Sequence, residues 1–300
     1  MRLRAKFITP IFCFFYTFTI MKRIFYLSLI LFAFNAEAQK GVVFKMKYLP
    51  NRTYDGVINM KLSANVNLSG NDTIVAKLQE QGMSLPINVH FGMKMNGDMK
   101  TGSKNVNGVF PFSMKYNFDD LNGDINGKSF PIPMDKLKAG VQMYGHIEPG
   151  GILRADSMGG QKISDTSAQS VSKMMDMVQK NIKFPDHPMK IGESFTQEMP
   201  MNIPVAGNMK IDSKVVYKLV SIADGKAYFD IQQTMNMSFP VQGDVISLSG
   251  AGAGKMVYSI KDSFATAYST DMDLKFTGNI KTLKIDANAK MVMAYNYTIN

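Results

Sequence analysis

Three histidines and a single cysteine bound the chemistry open to this 300-residue chain. His146 and Glu148 are the one suggestive pair, because residues two apart on a strand share a face. They could start a metal site. Zinc, however, needs a third ligand and usually a fourth, and neither H-x-x-x-H nor H-E-x-x-H occurs. No metal is therefore expected, with His146 and Glu148 as weak candidates only. His90 falls with Asn88 on the polar side of its segment, and His187 lies in a proline-flanked loop.

The other chemical motifs fail on spacing. Gly250-Ala-Gly-Ala-Gly254-Lys255 resembles a phosphate loop. The Walker pattern needs four residues between its glycines and a Ser or Thr after the Lys, whereas here three intervene and Met256 follows. A bent or bulged strand is the better reading. Asn122-Gly-Asp124-Ile-Asn126-Gly127 has the oxygen spacing of half a calcium loop, but Pro133 stands where a bidentate Glu is required. No serine sits in a G-x-S-x-G elbow. Glu80, Glu148, Glu193 and Glu198 are carboxylates without a sequence-level partner, so a hydrolase site built in three dimensions stays open. No cofactor is expected. Asp72-Thr73-Ile74 and Asp156-Ser157-Met158 match a short Asp-Ser/Thr-apolar pattern for O-glycosylation, making Thr73 and Ser157 candidates.

The segment that would deliver these residues to their compartment is Met21–Gln39. Lys22 and Arg23 precede an apolar run from Ile24 to Phe34, and Ala36-Glu37-Ala38 precedes Gln39. This is the layout of a secretory signal peptide, cleaved between Ala38 and Gln39. The run is too short to span a bilayer, which takes about 20 apolar residues. Residues 1–20 carry a second apolar run behind Arg2, Arg4 and Lys6. They read as an upstream extension of the reading frame, with translation starting at Met21. Cys13 follows Phe12, not the small residue a lipoprotein site needs.

Processing removes that cysteine, so neither disulfides nor thiolate chemistry is available to the exported chain. Residues 1–38 also hold five of the basic residues and one acid, so the formal charge falls from +10 to +6. The remaining charge is spread out, without the basic-aromatic clusters that track nucleic acid. No nucleic-acid partner is expected. Methionine is abundant, 25 in all with no tryptophan. Its soft, flexible side chain suits core filling or an adaptable apolar pocket. Met-x-Met pairs at 93/95, 199/201, 235/237 and 291/293 put both sulfurs on one strand face.

Period-two alternation dominates. It runs through Ile58, Met60, Leu62, Ala64, Val66 and Leu68, then Leu85 to Met95 and Phe110 to Phe118. It returns at Ala227 to Phe239 and at Leu283 to Ile299. These read as half-buried antiparallel strands with one wet face. Asn-Gly at 96–97, 107–108, 122–123 and 126–127, with Asp224-Gly225, read as tight turns. One segment switches to helical spacing: Val171, Met174, Met175, Val178 and Ile182 form a single stripe, predicting an amphipathic helix near 165–182. The resulting organisation is a first β-rich part at 40–160, a helix and connector at 161–188, and a second β-rich part at 189–300. The openings of the two parts, Tyr48–Tyr54 and Met189–Phe195, are similar enough to suggest duplication within one continuous fold. The fold class is mainly β, with long antiparallel strands forming a curved sheet, half-barrel or sandwich.

Pro188-Met-Lys-Ile-Gly-Glu-Ser-Phe195, Val220-Ser-Ile-Ala-Asp-Gly-Lys-Ala-Tyr228, and Gly254-Lys-Met-Val-Tyr258 with Asp262 resemble an exported β-rich family of unknown function from Gram-negative bacteria. The resemblance covers mostly 180–280 and implies no activity. At the level of fold, strands with one helix are also similar to periplasmic lipid carriers of the lipoprotein-localisation type. That resemblance implies a curved sheet around an apolar cavity.

The reading that follows is a periplasmic or secreted, non-catalytic protein that binds a lipid or other apolar small molecule, or an envelope protein partner. Its pocket candidates are Met93, Phe112, Met235 and Met291. The alternatives are an interaction module using exposed sheet edges, and a hydrolase with an unrecognised carboxylate site. Mass analysis of the exported protein should find Gln39 at its N-terminus; retention of residues 1–38 would refute the signal-peptide reading.

Overall fold

The computed structural model describes residues 41–70, 72–80, 82–130, 141–159, 161–162, 182–203, 209–241 and 244–300. Alternating apolar and polar residues form long strands, because that period puts one whole set on one face. In chain order they are β1 (Thr53–Ser69), β2 (Ile87–Thr101), β3 (Phe110–Ile125), β4 (Lys128–Ser129), β5 (Val141–Ile147), β6 (Leu153–Met158) and β7 (Gln161–Lys162). After the 163–193 connection come β8 (Ser194–Ile203), β9 (Met209–Ala223), β10 (Lys226–Val241), β11 (Asp244–Ser259), β12 (Phe264–Ile280) and β13 (Leu283–Ile299).

All thirteen belong to one antiparallel sheet, in the order β7-β6-β5-β3-β2-β1-β13-β12-β11-β10-β9-β8, with β4 hung on β3. The sheet is two meanders joined where the first strand meets the last. β1 and β13 pair from Tyr54↔Ile299 to Ser69↔Lys284. The edges, β7 and β8, are consecutive in sequence but unpaired with each other, so the sheet is not closed into a barrel.

The amphipathic segment expected near 165–182 lies outside the described residues, except for Ile182, which packs on the core. The described helix is α1 (Asp72–Glu80), in the β1–β2 connection. Its apolar residues Ile74, Val75 and Leu78 are too few to stand out as a stripe.

Two of the expected turns are correct in kind and place. Asn126-Gly127 and Asp224-Gly225 both have positive φ at each residue, the conformation of a tight hairpin. Gly108 also turns with positive φ. Asn96-Gly97 and Asn122-Gly123 instead lie inside β2 and β3. There the glycines make room for rings: a Cβ on Gly97 would come within 3.0 Å of the Tyr116 ring, and one on Gly123 would strike Phe130. Gly250–Gly254 is likewise not bulged out of register. It pairs without interruption with β10 and β12, and the irregularity in β11 falls at Val257/Tyr258.

One end of the sheet is sealed by residues 42–49, which cross the strands as a strap. Val42 exchanges both backbone hydrogen bonds with Met189, at 2.9 Å each. Lys45 O accepts from the Tyr258 hydroxyl at 2.8 Å, and Lys47 N–H donates to Ser263 O at 3.1 Å. Leu49 N–H donates to the Tyr54 hydroxyl at 2.7 Å, and the Thr101 hydroxyl donates to Leu49 O at 2.7 Å. The strap thus runs from beside β8, over β11 and β12, to β1 and β2. Phe44 seats in the apolar face against Phe184, Phe229 and Tyr258, with ring centroids 5.2–5.3 Å apart. Tyr48 does the same against Tyr54 and Phe264.

Phe44 is only 1% exposed and holds three rings together. Phe44→Ala should destabilise the protein by about 3–5 kcal/mol, the usual loss for a buried Phe truncated to Ala. Thermal or urea unfolding would read this directly, and an unchanged transition would mean that the strap is not part of the cooperative core.

Candidate functional site: the inward face of the rolled sheet

The curvature of the sheet has a local cause. Gly250, Gly252 and Gly254 all point to the apolar face of β11, leaving that strand without side chains for three inward positions. Side chains of β12 lie over the gap: a Cβ on Gly252 would come within 2.6 Å of Met272 Cγ, and one on Gly250 would run into Leu274. With nothing to hold them apart, β10 and β12 approach across β11. The Tyr268 hydroxyl of β12 donates to Gln233 Oε1 of β10 at 3.2 Å. Tyr217 of β9 and Tyr295 of β13 stand four strands apart, roughly 19 Å on a flat sheet. They lie close enough in the rolled sheet for the charge of Tyr217 to raise the Tyr295 pKa.

Along the strands, the inward face is sealed at the strap end and unevenly buried beyond it. At the strap end, Ile147, Leu219, Phe229, Ile231 and Met256 are all at most 1% exposed. Next comes a shelf of tyrosines. Tyr268 stacks on Tyr295 (centroids 5.3 Å apart, 9° between planes), and Tyr297 meets Tyr295 edge-on at 5.6 Å. Burial lifts the Tyr116 hydroxyl to about 12 and raises Tyr48, Tyr217, Tyr268, Tyr295 and Tyr297 as well. These phenols stay neutral hydrogen-bonding groups. Beyond the shelf, Leu248, Met272, Leu274, Ala287 and Ala289 on β11–β13 are buried, whereas Leu62, Ala64, Val66, Met60, Met93, Met95, Met291 and Met293 on the same face are half-buried. The register sets Met93, Met60 and Met293 side by side on β2, β1 and β13. Inward positions of β1, β2 and β9–β13 carry no Lys, Arg or His among the described residues, and the acid there is Asp244 at the hairpin end of β11.

Three of the four expected pocket residues share this face. Met93 sits in the methionine row, while Met235 and Met291 flank Leu248, Met272, Leu274 and Ala289. All three are half-buried. Phe112 does not join them. It is 3% exposed and packs in the strap-end core with Met99, Phe110 and Met143, beneath Gly145, where any side chain would clash with its ring. The tyrosine shelf escaped sequence reading because its members come from five separate segments. Alternation marks each as inward without showing that they meet.

The polar candidates are scattered. His146 Nδ1 lies 3.0 Å from Asp156, and Glu148 lies 3.4 Å from Arg154, so the two face different partners rather than one ion. His90 pairs with Asp124 at 3.2 Å, and His187 lies against the Pro188 carbonyl. No group of three His, Cys, Asp or Glu converges among the described residues. Glu193 accepts from Lys190 N–H at 2.9 Å and Glu198 pairs with Lys214, while Glu80 is exposed on α1. Thr73 is exposed on α1, and Ser157 is half-buried on β6. The outer face bears an open, shallow hollow of about 780 Å³ over β10–β13, edged by Thr234, Asn236, Ser249, Asp273, Lys275 and Asn288.

No family model and no curated protein sequence matches the chain. Among solved structures it is similar to a mutant of the Rh. blastica porin, with a TM-score of 0.24 and 8% identity over 82% of this chain and all of the porin. An outer membrane channel from Pseudomonas putida F1 gives a TM-score of 0.19 and 7% identity, over 84% of this chain and 97% of the channel. The β domain of the Bordetella autotransporter BrkA gives 0.17 and 7%, over 81% and 98%. Scores this low carry nothing about function.

The tyrosine shelf predicts an alkaline response. A phenol whose folded pKa exceeds its unfolded value, about 10, adds stability that is intact below that pH and lost as pH rises through the folded value. The melting temperature should therefore fall between about pH 10 and 12. Phenolate absorbance from the shelf should appear only as the protein unfolds; its appearance in the folded protein near pH 10 would show the shelf to be solvated.

Proposed function

We propose that this is a non-catalytic protein of the cell envelope, exported by cleavage between Ala38 and Gln39, which holds an apolar ligand in the open part of the rolled sheet. The supporting observation is the half-buried part of the apolar face. Met256 and Met272 on β11 and β12 are fully buried, while Met93, Met235 and Met291 on β2, β10 and β13 are part-exposed on the same face. An apolar surface kept concave, uncharged and partly uncovered suits a small apolar molecule. Methionine suits it further, since flexible thioethers adapt to different chains.

The outer face supports a water-exposed sheet. Cross-strand rows there read His90–Ser63–Lys290–Asp273 and Asn88–Asn65–Asn288–Lys275. A membrane-inserted barrel carries an apolar outer band and a polar lumen, the reverse of this arrangement.

The test is titration of the mature chain with a fluorescent fatty-acid analogue. Binding should be roughly micromolar. Met291→Lys, which sets a charge in the trough, should weaken it by about tenfold or more, while Asn65→Ala on the outer face should leave it unchanged. Failure of the wild-type chain to bind would refute the reading.

A further inference from the structure

We infer that the trough contains a polar station centred on Thr270, which hydrogen-bonds an uncharged acceptor group, such as an ester or amide carbonyl, of an amphiphilic ligand. This rests on the apolar-ligand reading and specifies the ligand class.

Thr270 points to the inward face of β12 and is 3% exposed, yet its hydroxyl has no hydrogen-bond partner. Its cross-strand neighbours explain why. On one side the register partner is Gly254, which has no side chain, and on the other it is Met293, whose thioether is at best a weak acceptor. A buried hydroxyl left unpaired costs stability that an isosteric Val would not. If packing alone set this position, the apolar residue would serve better.

The surroundings are polar in an otherwise apolar face. Tyr268, two residues along the strand, donates to Gln233, whose amide lies 3.4 Å from the Ser213 hydroxyl. Thr270 thus lies beside a short chain of neutral hydrogen-bonding groups, at the β12 end of the row that runs through Met293, Met60 and Met93. Its hydroxyl can donate to a carbonyl while the attached chain lies along Met293, Met60 and Met93. With no Lys, Arg or His on the inward positions of β1, β2 and β9–β13 among the described residues, nothing there would balance a buried anion. The seated group is therefore neutral.

Two probes separate the station from the trough. Monoolein offers an ester carbonyl, whereas N-phenyl-1-naphthylamine is an apolar reporter without a carbonyl acceptor. Thr270→Val should weaken monoolein binding about five- to tenfold, the size of one neutral hydrogen bond, and leave the naphthylamine unchanged. Thr270→Ser, which keeps the hydroxyl, should retain monoolein binding. Equal affinity of Thr270→Val and wild type for monoolein would overturn the station while leaving the trough standing. Loss of both probes in Thr270→Val, with both kept by Thr270→Ser, would mark Thr270 as structural and also overturn the station. Failure of the wild type to bind either probe would overturn the apolar-ligand reading itself, and the station with it.

Discussion

Among the described residues the sheet has one apolar face and no second layer of comparable size against it, so it buries that face largely on itself. Every other feature of this fold answers to that constraint. Among the described residues, thirteen strands form one sheet, and only the strap at 42–49, the 182–191 segment and one short helix are available as cover. Hydrophobic burial, at about 25 cal/mol per Å² of apolar surface, is the main force favouring the folded chain. The sheet gains it by rolling. The glycine stripe on β11 lets the roll tighten, because Leu274 and Met272 occupy space that side chains on Gly250 and Gly252 would need.

Rolling alone buries the face unevenly. The strap completes one end, where rings from residues 44 and 48 fill the mouth between strands. Toward the other end, among the described residues, burial differs across the sheet rather than rising along it. On β11–β13 Leu248, Met272, Leu274, Ala287 and Ala289 are buried, while Met60, Leu62 and Met93 on β1 and β2, with Met291 and Met293 on β13, are half-buried.

Alternation made much of this fold legible before any coordinates. It marked β1, β2, β3, β10 and β13 with their wet and dry faces, though not β9, β11 or β12, and Asn126-Gly127 and Asp224-Gly225 were readable as turns from their chemistry alone. Glycine was read less well, because the residue answers two different needs. At Gly127 and Gly225 it supplies positive φ. At Gly97, Gly123 and Gly252 it yields space to a neighbour that sequence does not reveal. Phe112 illustrates the same limit. Its inward face was evident, but whether that part of the face is sealed depends on β5 and β6, which lie next to it only in three dimensions. The strap offered no periodic signal, since its residues are held by contacts up to 213 positions away. The Thr270 station was invisible for a related reason: a threonine in a strand is ordinary until its cross-strand neighbours are known.

The pairing of β1 with β13 places the last strand of the chain at the middle of the sheet. In most meanders a terminal strand is an edge, and losing it trims the structure. Here β13 is the seam between two halves that share no other ladder, so cutting it away would leave two separate sheets, each with a newly exposed edge. Such edges template pairing with other chains. Joining the halves depends on pairing residues 53–69 with residues 283–299, long-range contacts of the kind that form slowly. Until they form, the apolar faces of both halves stand open.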